Sequence, residues 1–104
     1  MRGEVWLVAL DPTAGREIKK TRPALVVSPD ELNAALDTVI VAPMTTGGSP
    51  APYRVPIVFD KKRGLILADQ LRAVARERLL RRLGRVSEIV LHASLAVMQE
   101  MFAE

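Results

Sequence analysis

The sequence predicts a small, mainly β protein: a strongly bent sheet or barrel closed by one C-terminal helix. Three observations predict it. Short apolar and β-branched runs recur across residues 4–86, separated by turn residues. Residues 88–103 instead repeat their apolar positions at helical spacing. Finally, 104 residues, 49% of them hydrophobic, supply one small core, so residues 1–104 are expected to form a single domain.

Each element follows from its residues. Glu4 to Leu10 reads as a strand that Asp11-Pro12 ends. Residues 13–21 have no consistent period and read as an exposed basic loop. Pro23 to Ser28 is a second strand, with Pro at its first position, where a missing N–H does least harm. Pro29 to Ala35 fits a helical turn with Ser28 as N-cap, Pro29 at the first helical position, and Asp30 and Glu31 in the first turn. Thr38 to Met44 is a third strand, which Pro43 assigns to an edge or a bulge. Thr45 to Pro52 reads as a loop. Tyr53 to Phe59 and Leu65 to Leu67 flank a basic turn over residues 60–64. Leu71 to Ala75 and Leu80 to Val86 are further strands, with residues 76–78 as their turn. Ser87 then caps a helix whose stripe is Leu91, Leu95, Met98 and Phe102. That apolar face is wide for a small domain, which points to a partner surface such as a second copy of the chain.

Composition removes several chemistries. Without Cys there are no disulfides, thiol nucleophiles or thiolate metal sites, and a single His excludes a multi-His zinc site, so no metal is expected. The run Val5 to Leu10 is too short for a signal peptide, and nothing approaches a membrane span of about 18 apolar residues. A soluble, cytoplasmic protein is expected. The net charge of +3 divides unevenly: residues 1–53 carry −1, residues 54–85 carry +7 and residues 86–104 carry −3. A basic middle attracts polyanions, although an Arg-rich composition has other origins as well.

The chain has no P-loop, no Gly-x-Gly-x-x-Gly and no Gly-x-Ser-x-Gly. His92 lies four residues from Glu88 on a polar helix face and reads as half of a solvated pair. Any catalysis falls to Arg, Thr, Ser, Lys and carboxylates. Arg22 precedes a Pro that holds it extended, Thr45 follows the third strand, and neighbouring strand ends would bring the two to one rim. Glu17, on the loop, could fold back beside Arg22. Read alone, the three equally describe an exposed strand-start Arg, a turn Thr and a loop Glu.

A resemblance adds to this reading. The strings Arg2-Gly3-Glu4-Val5-Trp6, Leu10-Asp11-Pro12, Gly15-x-Glu17-x4-Arg22-Pro23-Ala24-Leu25-Val26-Val27-Ser28, Val41-Ala42-Pro43-Met44-Thr45-Thr46, Leu67-Ala68-Asp69-Gln70-Leu71-Arg72 and Gly84-Arg85-Val86-Ser87 occur in this order. Together they resemble the MazF/PemK toxin family over almost the whole chain. The resemblance implies an SH3-like barrel of the MazF/PemK/CcdB type, assembled as a homodimer. It also implies a sequence-selective endoribonuclease that uses neither cofactor nor metal. The family's catalytic Arg and Thr fall on Arg22 and Thr45, and an acidic loop position on Glu17. The implied partners are single-stranded RNA and a MazE-like antitoxin with an acidic tail. Lys19, Lys20 and Arg54 are candidates for the RNA backbone, Tyr53 for stacking on a base, and Gln70 for a further contact.

Two other readings use the same fold. One is a non-catalytic toxin resembling CcdB, which binds DNA gyrase through a helix end containing Trp. Here the helix ends Met101-Phe102-Ala103-Glu104 and the only Trp is Trp6. The other is a basic barrel that binds nucleic acid without cutting it.

Overall fold

A computed structural model describes residues 1–10, Gly15 and residues 20–104. The loop reading of residues 13–21 therefore falls largely outside the described residues, as do Glu17 and Lys19. Seven strands form one antiparallel system: β1 (Glu4–Ala9), β2 (Thr21–Val26), β3 (Thr38–Thr46), β4 (Arg54–Phe59), β5 (Lys62–Leu67), β6 (Arg72–Ala75) and β7 (Leu79–Arg85). Helix α1 (Asp30–Ala35) joins β2 to β3, and helix α2 (Glu88–Met101) follows β7. The strand order is β4-β5-β3-β2-β1-β7, with β6 also paired to β3. No ladder joins β4 to β7 among the described residues, so hydrogen bonds do not close the barrel. The Phe59 ring instead packs against Gly84 across that seam. Among the described residues, no helix is long and apolar enough to cross a membrane.

The expected mainly β fold with a C-terminal helix is what the chain adopts, with several local differences. β3 is central, not an edge. It pairs with β2 on one side, and on the other with β6 through Thr38–Val41 and with β5 through Met44–Thr46. Pro43 falls in the gap where β3 changes neighbours, so its missing N–H breaks no ladder bond.

β2 begins two residues earlier than expected, which places Arg22 and Pro23 inside the strand. The turn between β4 and β5 is only Asp60-Lys61, both left-handed (φ 51° and 64°), as in a type I′ hairpin. Such turns favour glycine, and with none at either position the sequence showed a longer basic turn. Thr45 and Thr46 belong to β3 and not to the following loop.

β2 and β3 are buried on both faces. Leu25, Ala42 and Met44 join a core under α2, with Val5, Ile66, Leu91 and Met98. Ala24, Val26, Val39 and Val41 join a second core, with Val8, Leu10 and Val74. This explains the unbroken apolar runs of these two strands, since a strand covered on both sides has no reason to alternate.

Ser28 does not cap α1. Pro29, extended (φ −64°, ψ 152°), occupies the cap position without a side-chain hydrogen bond. The buried Ser28 hydroxyl instead donates to Asn33 Oδ1 and accepts from Ile40 N at 3.0 Å, while Asn33 Nδ2 donates to Ser28 O at 3.0 Å. These bonds tie α1 to β3. Ser87 does cap α2, accepting from Val90 N at 3.2 Å. Leu91, Ser94 and Met98 form the buried face of α2, whereas Phe102, expected on the apolar stripe, is 71% exposed. His92 and Glu88 form the expected exposed pair, at 3.5 Å.

Glu4 holds β1 to β7. Its carboxylate accepts from Trp6 Nε1 and from Arg82 Nε, each at 3.0 Å, while Trp6 and Arg82 are cross-strand partners. The Trp6 hydrogen bond, followed by the Arg82 contacts, keeps the Glu4 carboxyl below its ordinary range in spite of partial burial. A depressed carboxylate stabilises the fold above its unfolded pKa, and that stability is lost as pH falls through the lower, folded value. Glu4→Gln is expected to cost about 1–2 kcal/mol at pH 7 in urea unfolding, and the gap to the parent should shrink below about pH 4. A gap independent of pH would remove this role.

Candidate active site

Backbone chemistry brings Arg22 and Thr45 together. Val27 N donates to Ile40 O at 3.0 Å, so alternate residues of β2 (27, 25, 23) turn their N–H groups towards β3. At Pro23 that donor is missing, and the β2–β3 ladder stops at Ala24↔Pro43. Continuing the same register two residues further sets Arg22 opposite Thr45. Directly opposed residues share a face of the sheet. Beyond the stop, β2 remains paired to β1 (Val8↔Arg22) while β3 pairs with β5 (Thr45↔Leu65). A cleft opens where the two strand ends part.

The cleft measures about 480 Å³ and is lined by both Arg22 and Thr45. Pro23, Ile57, Phe59 and Leu83 supply apolar wall, and Asp60 and Lys62 supply its other charges. Arg22 is exposed, and no hydrogen bond or ion pair with a described residue engages its guanidinium. Thr45 is half-buried, and its hydroxyl makes only a long contact, 3.4 Å, to Thr46 O. Among the described residues, neither the cation nor the hydroxyl has a strong partner that an incoming group would have to displace.

Gly64 fixes the position of Thr45. A Cβ at residue 64 would lie 2.0 Å from the Thr45 carbonyl oxygen, so β5 reaches β3 here only because residue 64 has no side chain. This closeness, together with the cleft positions of Phe59, Asp60, Lys62 and Leu83, was missed in the sequence. The short Asp60-Lys61 turn is the signal that would have revealed it, because it fixes the register Phe59↔Lys62 and Ile57↔Gly64.

The other candidate residues lie elsewhere. Lys20 is left-handed (φ 64°), and its carbonyl accepts from Leu10 N at 2.8 Å. Tyr53, also left-handed (φ 65°), accepts at its carbonyl from Ala68 N at 3.1 Å. Arg54 donates through Nε and Nη2 to the two Asp69 carboxylate oxygens, each at 3.2 Å. That hydrogen bond and charge hold the Arg54 pKa above its usual value. Gln70 ends the adjoining 3-10 turn, Ala68–Gln70. Tyr53, Arg54 and Gln70 therefore gather at the end of the β4–β5 hairpin away from its tip, and none of them lines the cleft. Lys20 does not line it either. Trp6, fixed to Glu4, packs against the core of Val8, Leu10 and Val74, whereas Met98 and Met101 near the end of α2 belong to the other core. Among the described residues, no three His, Cys, Asp or Glu side chains come together as a metal-ligand group.

A bent β-sheet whose split ladder sets an arginine and a hydroxyl in one cleft has donors whose chemistry suits phosphate oxygens. Comparison with known proteins makes this specific. The family model of PemK-like, MazF-like toxins of type II toxin–antitoxin systems matches residues 1–102, and the chain belongs to that family. Endoribonuclease PemK of Escherichia coli is 39% identical over 100 residues, covering 90% of this chain and 75% of that protein. The crystal structure of MazF from Deinococcus radiodurans superposes with a TM-score of 0.84 at 27% identity, covering 95% of this chain and 92% of the other. A MazE–MazF structure from the same organism superposes at 0.71 with 26% identity, covering 96% and 91%.

Proposed function

We propose that this endoribonuclease toxin cuts single-stranded RNA at selected sequences, without a metal ion, by attack of the RNA's own 2′-hydroxyl. The observation that carries this reading is the shared cleft of Arg22 and Thr45, opposed across the point where the β2–β3 ladder ends. The 2′-oxygen forms a bond to the adjacent phosphorus while the bond from phosphorus to the 5′-oxygen breaks. The proton leaves the 2′-hydroxyl, and the departing 5′-oxygen gains one. The products are a 2′,3′-cyclic phosphate and a 5′-hydroxyl.

Such a reaction asks the protein to orient the phosphodiester and to stabilise negative charge on the pentacoordinate phosphorus. Arg22 forks two phosphate oxygens, and Thr45 donates a hydrogen bond to the same group. A guanidinium does not give up its proton in proteins, so Arg22 acts through its charge and not as the acid. Glu17, between β1 and β2 in the sequence, is the acidic residue we assign to accept the 2′-hydroxyl proton. Lys19 and Lys20, next in the sequence, and, further away, Tyr53, Arg54 and Gln70 are assigned to flanking RNA. For Arg54 this requires the nucleic acid to compete with Asp69.

The reading includes a homodimer, for which the exposed Ile89 of α2 and Phe102 just past its end offer apolar surface, and a MazE-like antitoxin. The compartment is the cytoplasm, where single-stranded RNA is accessible. Incubation of the purified protein with single-stranded RNA in EDTA tests the reading. Cutting is expected to persist in EDTA and to stop when the nucleotide at the cut carries 2′-deoxyribose. Cutting of the deoxy substrate at the same site would overturn the mechanism, and a requirement for added metal would overturn its metal independence.

A further inference from the structure

The basic middle of the chain is mostly engaged within the protein. Residues 54–85 carry ten Lys and Arg side chains. Arg54 is paired with Asp69, Arg82 with Glu4, and Arg85 with Glu88 at 3.9 Å. Arg72 donates to Leu10 O, Arg76 to Leu36 O and Arg78 to Ala9 O, at 3.1 to 3.3 Å. These six cations cap carbonyls or neutralise carboxylates. Four others form no hydrogen bond or ion pair with a described residue: Lys61, Lys62, Arg63 and Arg81. Three of them are consecutive at the tip of the β4–β5 hairpin.

That tip belongs to the cleft. Lys62 lines it together with Arg22 and Asp60. Side chains alternate along a strand, so Lys62 and Gly64 face the cleft while Arg63 faces away, beside the exposed Val58 with which it pairs. Lys61 occupies the second turn position, next to Lys62. A two-residue turn holds these charges in a defined place, as a long loop would not.

We propose that Lys62 in the cleft, followed by Lys61 at the hairpin tip, carries the phosphates of the RNA strand leaving the Arg22–Thr45 site. The substrate therefore runs out along the tip of the β4–β5 hairpin. This inference rests on the proposed RNA cleavage and adds a direction for the strand. Cation release gives it a measurable signature: each phosphate contact on a single strand contributes about 0.7 to the slope of log affinity against log salt.

The test measures binding of an unstructured RNA oligonucleotide, 2′-deoxy at its mapped cut site, between 50 and 200 mM KCl. Relative to the parent, Lys61→Gln/Lys62→Gln is expected to flatten the slope by about 1.4 and to weaken binding about tenfold at the lower salt. Arg63→Gln, one charge removed from the opposite face of the same hairpin, should change the slope by less than half the effect of Lys62→Gln. An unchanged slope in the double variant overturns the path. So does an Arg63→Gln effect equal to that of Lys62→Gln, which would mean diffuse attraction and not contact. If the parent protein binds RNA with a normal salt slope yet never cuts the all-ribose oligonucleotide, the cleavage reading fails instead.

Discussion

Arg22→Ala is expected to reduce RNA cutting by at least about 100-fold while leaving the fold intact. The magnitude follows from the removal of a positioned donor that acts on charge developing in the transition state, which commonly costs 10²- to 10³-fold in turnover. The fold should tolerate the change because Arg22 is exposed and no described residue depends on its guanidinium. Its backbone pairing with Val8 remains. Circular dichroism and a thermal melt check the fold, and single-turnover cleavage of RNA checks the rate. If the variant cuts at the parent rate, the assignment of Arg22 is wrong whatever the melt shows. Should the melt collapse along with the rate, Arg22→Lys decides between the two causes. It keeps the charge but loses the planar fork, and should restore the fold without restoring full activity.

Gly64→Ala is the second large effect, and it reaches the same site through the backbone. The added Cβ would fall 2.0 Å from the Thr45 carbonyl oxygen. The obstacle is main chain and cannot rotate away, so β5 and β3 must separate where Thr45 enters the cleft. A loss of about 3 kcal/mol is expected, at the upper end of what overpacking costs. For a domain of this size it should appear as a drop in Tm of more than about 10 °C. Cutting should fall further than the folded fraction does, because the atom displaced belongs to Thr45. Gly47→Ala provides the comparison. Gly47 is left-handed (φ 71°), but its Cβ position is open, so it costs backbone strain of about 1 kcal/mol without touching Thr45. Equal losses of activity per unit of stability in the two variants would contradict the positioning role of Gly64.

The cleft was legible because its two main residues sit at features that can be read locally. Arg22 precedes a Pro that holds it extended, Thr45 stands at the end of a long apolar strand, and together they mark strand ends that neighbour in sequence order. Other features were hidden because they depend on partners distant in sequence. The central position of β3 is set by three neighbours, and Pro43 is tolerated only because the strand changes partner beside it. Ser28 has the chemistry of a helix cap, yet bonds to Ile40 and Asn33 draw it into the core. The Asp60-Lys61 turn lacks the glycine by which such turns are recognised, so the hairpin appeared longer and blunter than it is. That error also hid the closeness of Lys62 to Arg22.

Charge shows the same limit. The +7 of residues 54–85 is a property of the sequence, but its availability is a property of the fold. Arg72 and Arg78 bind carbonyls of Leu10 and Ala9, at the end of β1 and just past it, while Arg82 holds Glu4. Much of the basic segment thus serves to fasten β6 and β7 to the start of the chain. Composition alone cannot separate such arginines from those that meet a polyanion.

The chemistry assigned to Arg22 and Thr45 makes one direct demand: the RNA supplies its own nucleophile. Mass spectrometry of the fragments cut from a defined single-stranded RNA in EDTA measures this. The expected ends are a 2′,3′-cyclic phosphate on the upstream fragment and a 5′-hydroxyl on the downstream one. A 3′-hydroxyl with a 5′-phosphate would mean that water, not the 2′-oxygen, attacks phosphorus, and would contradict the account.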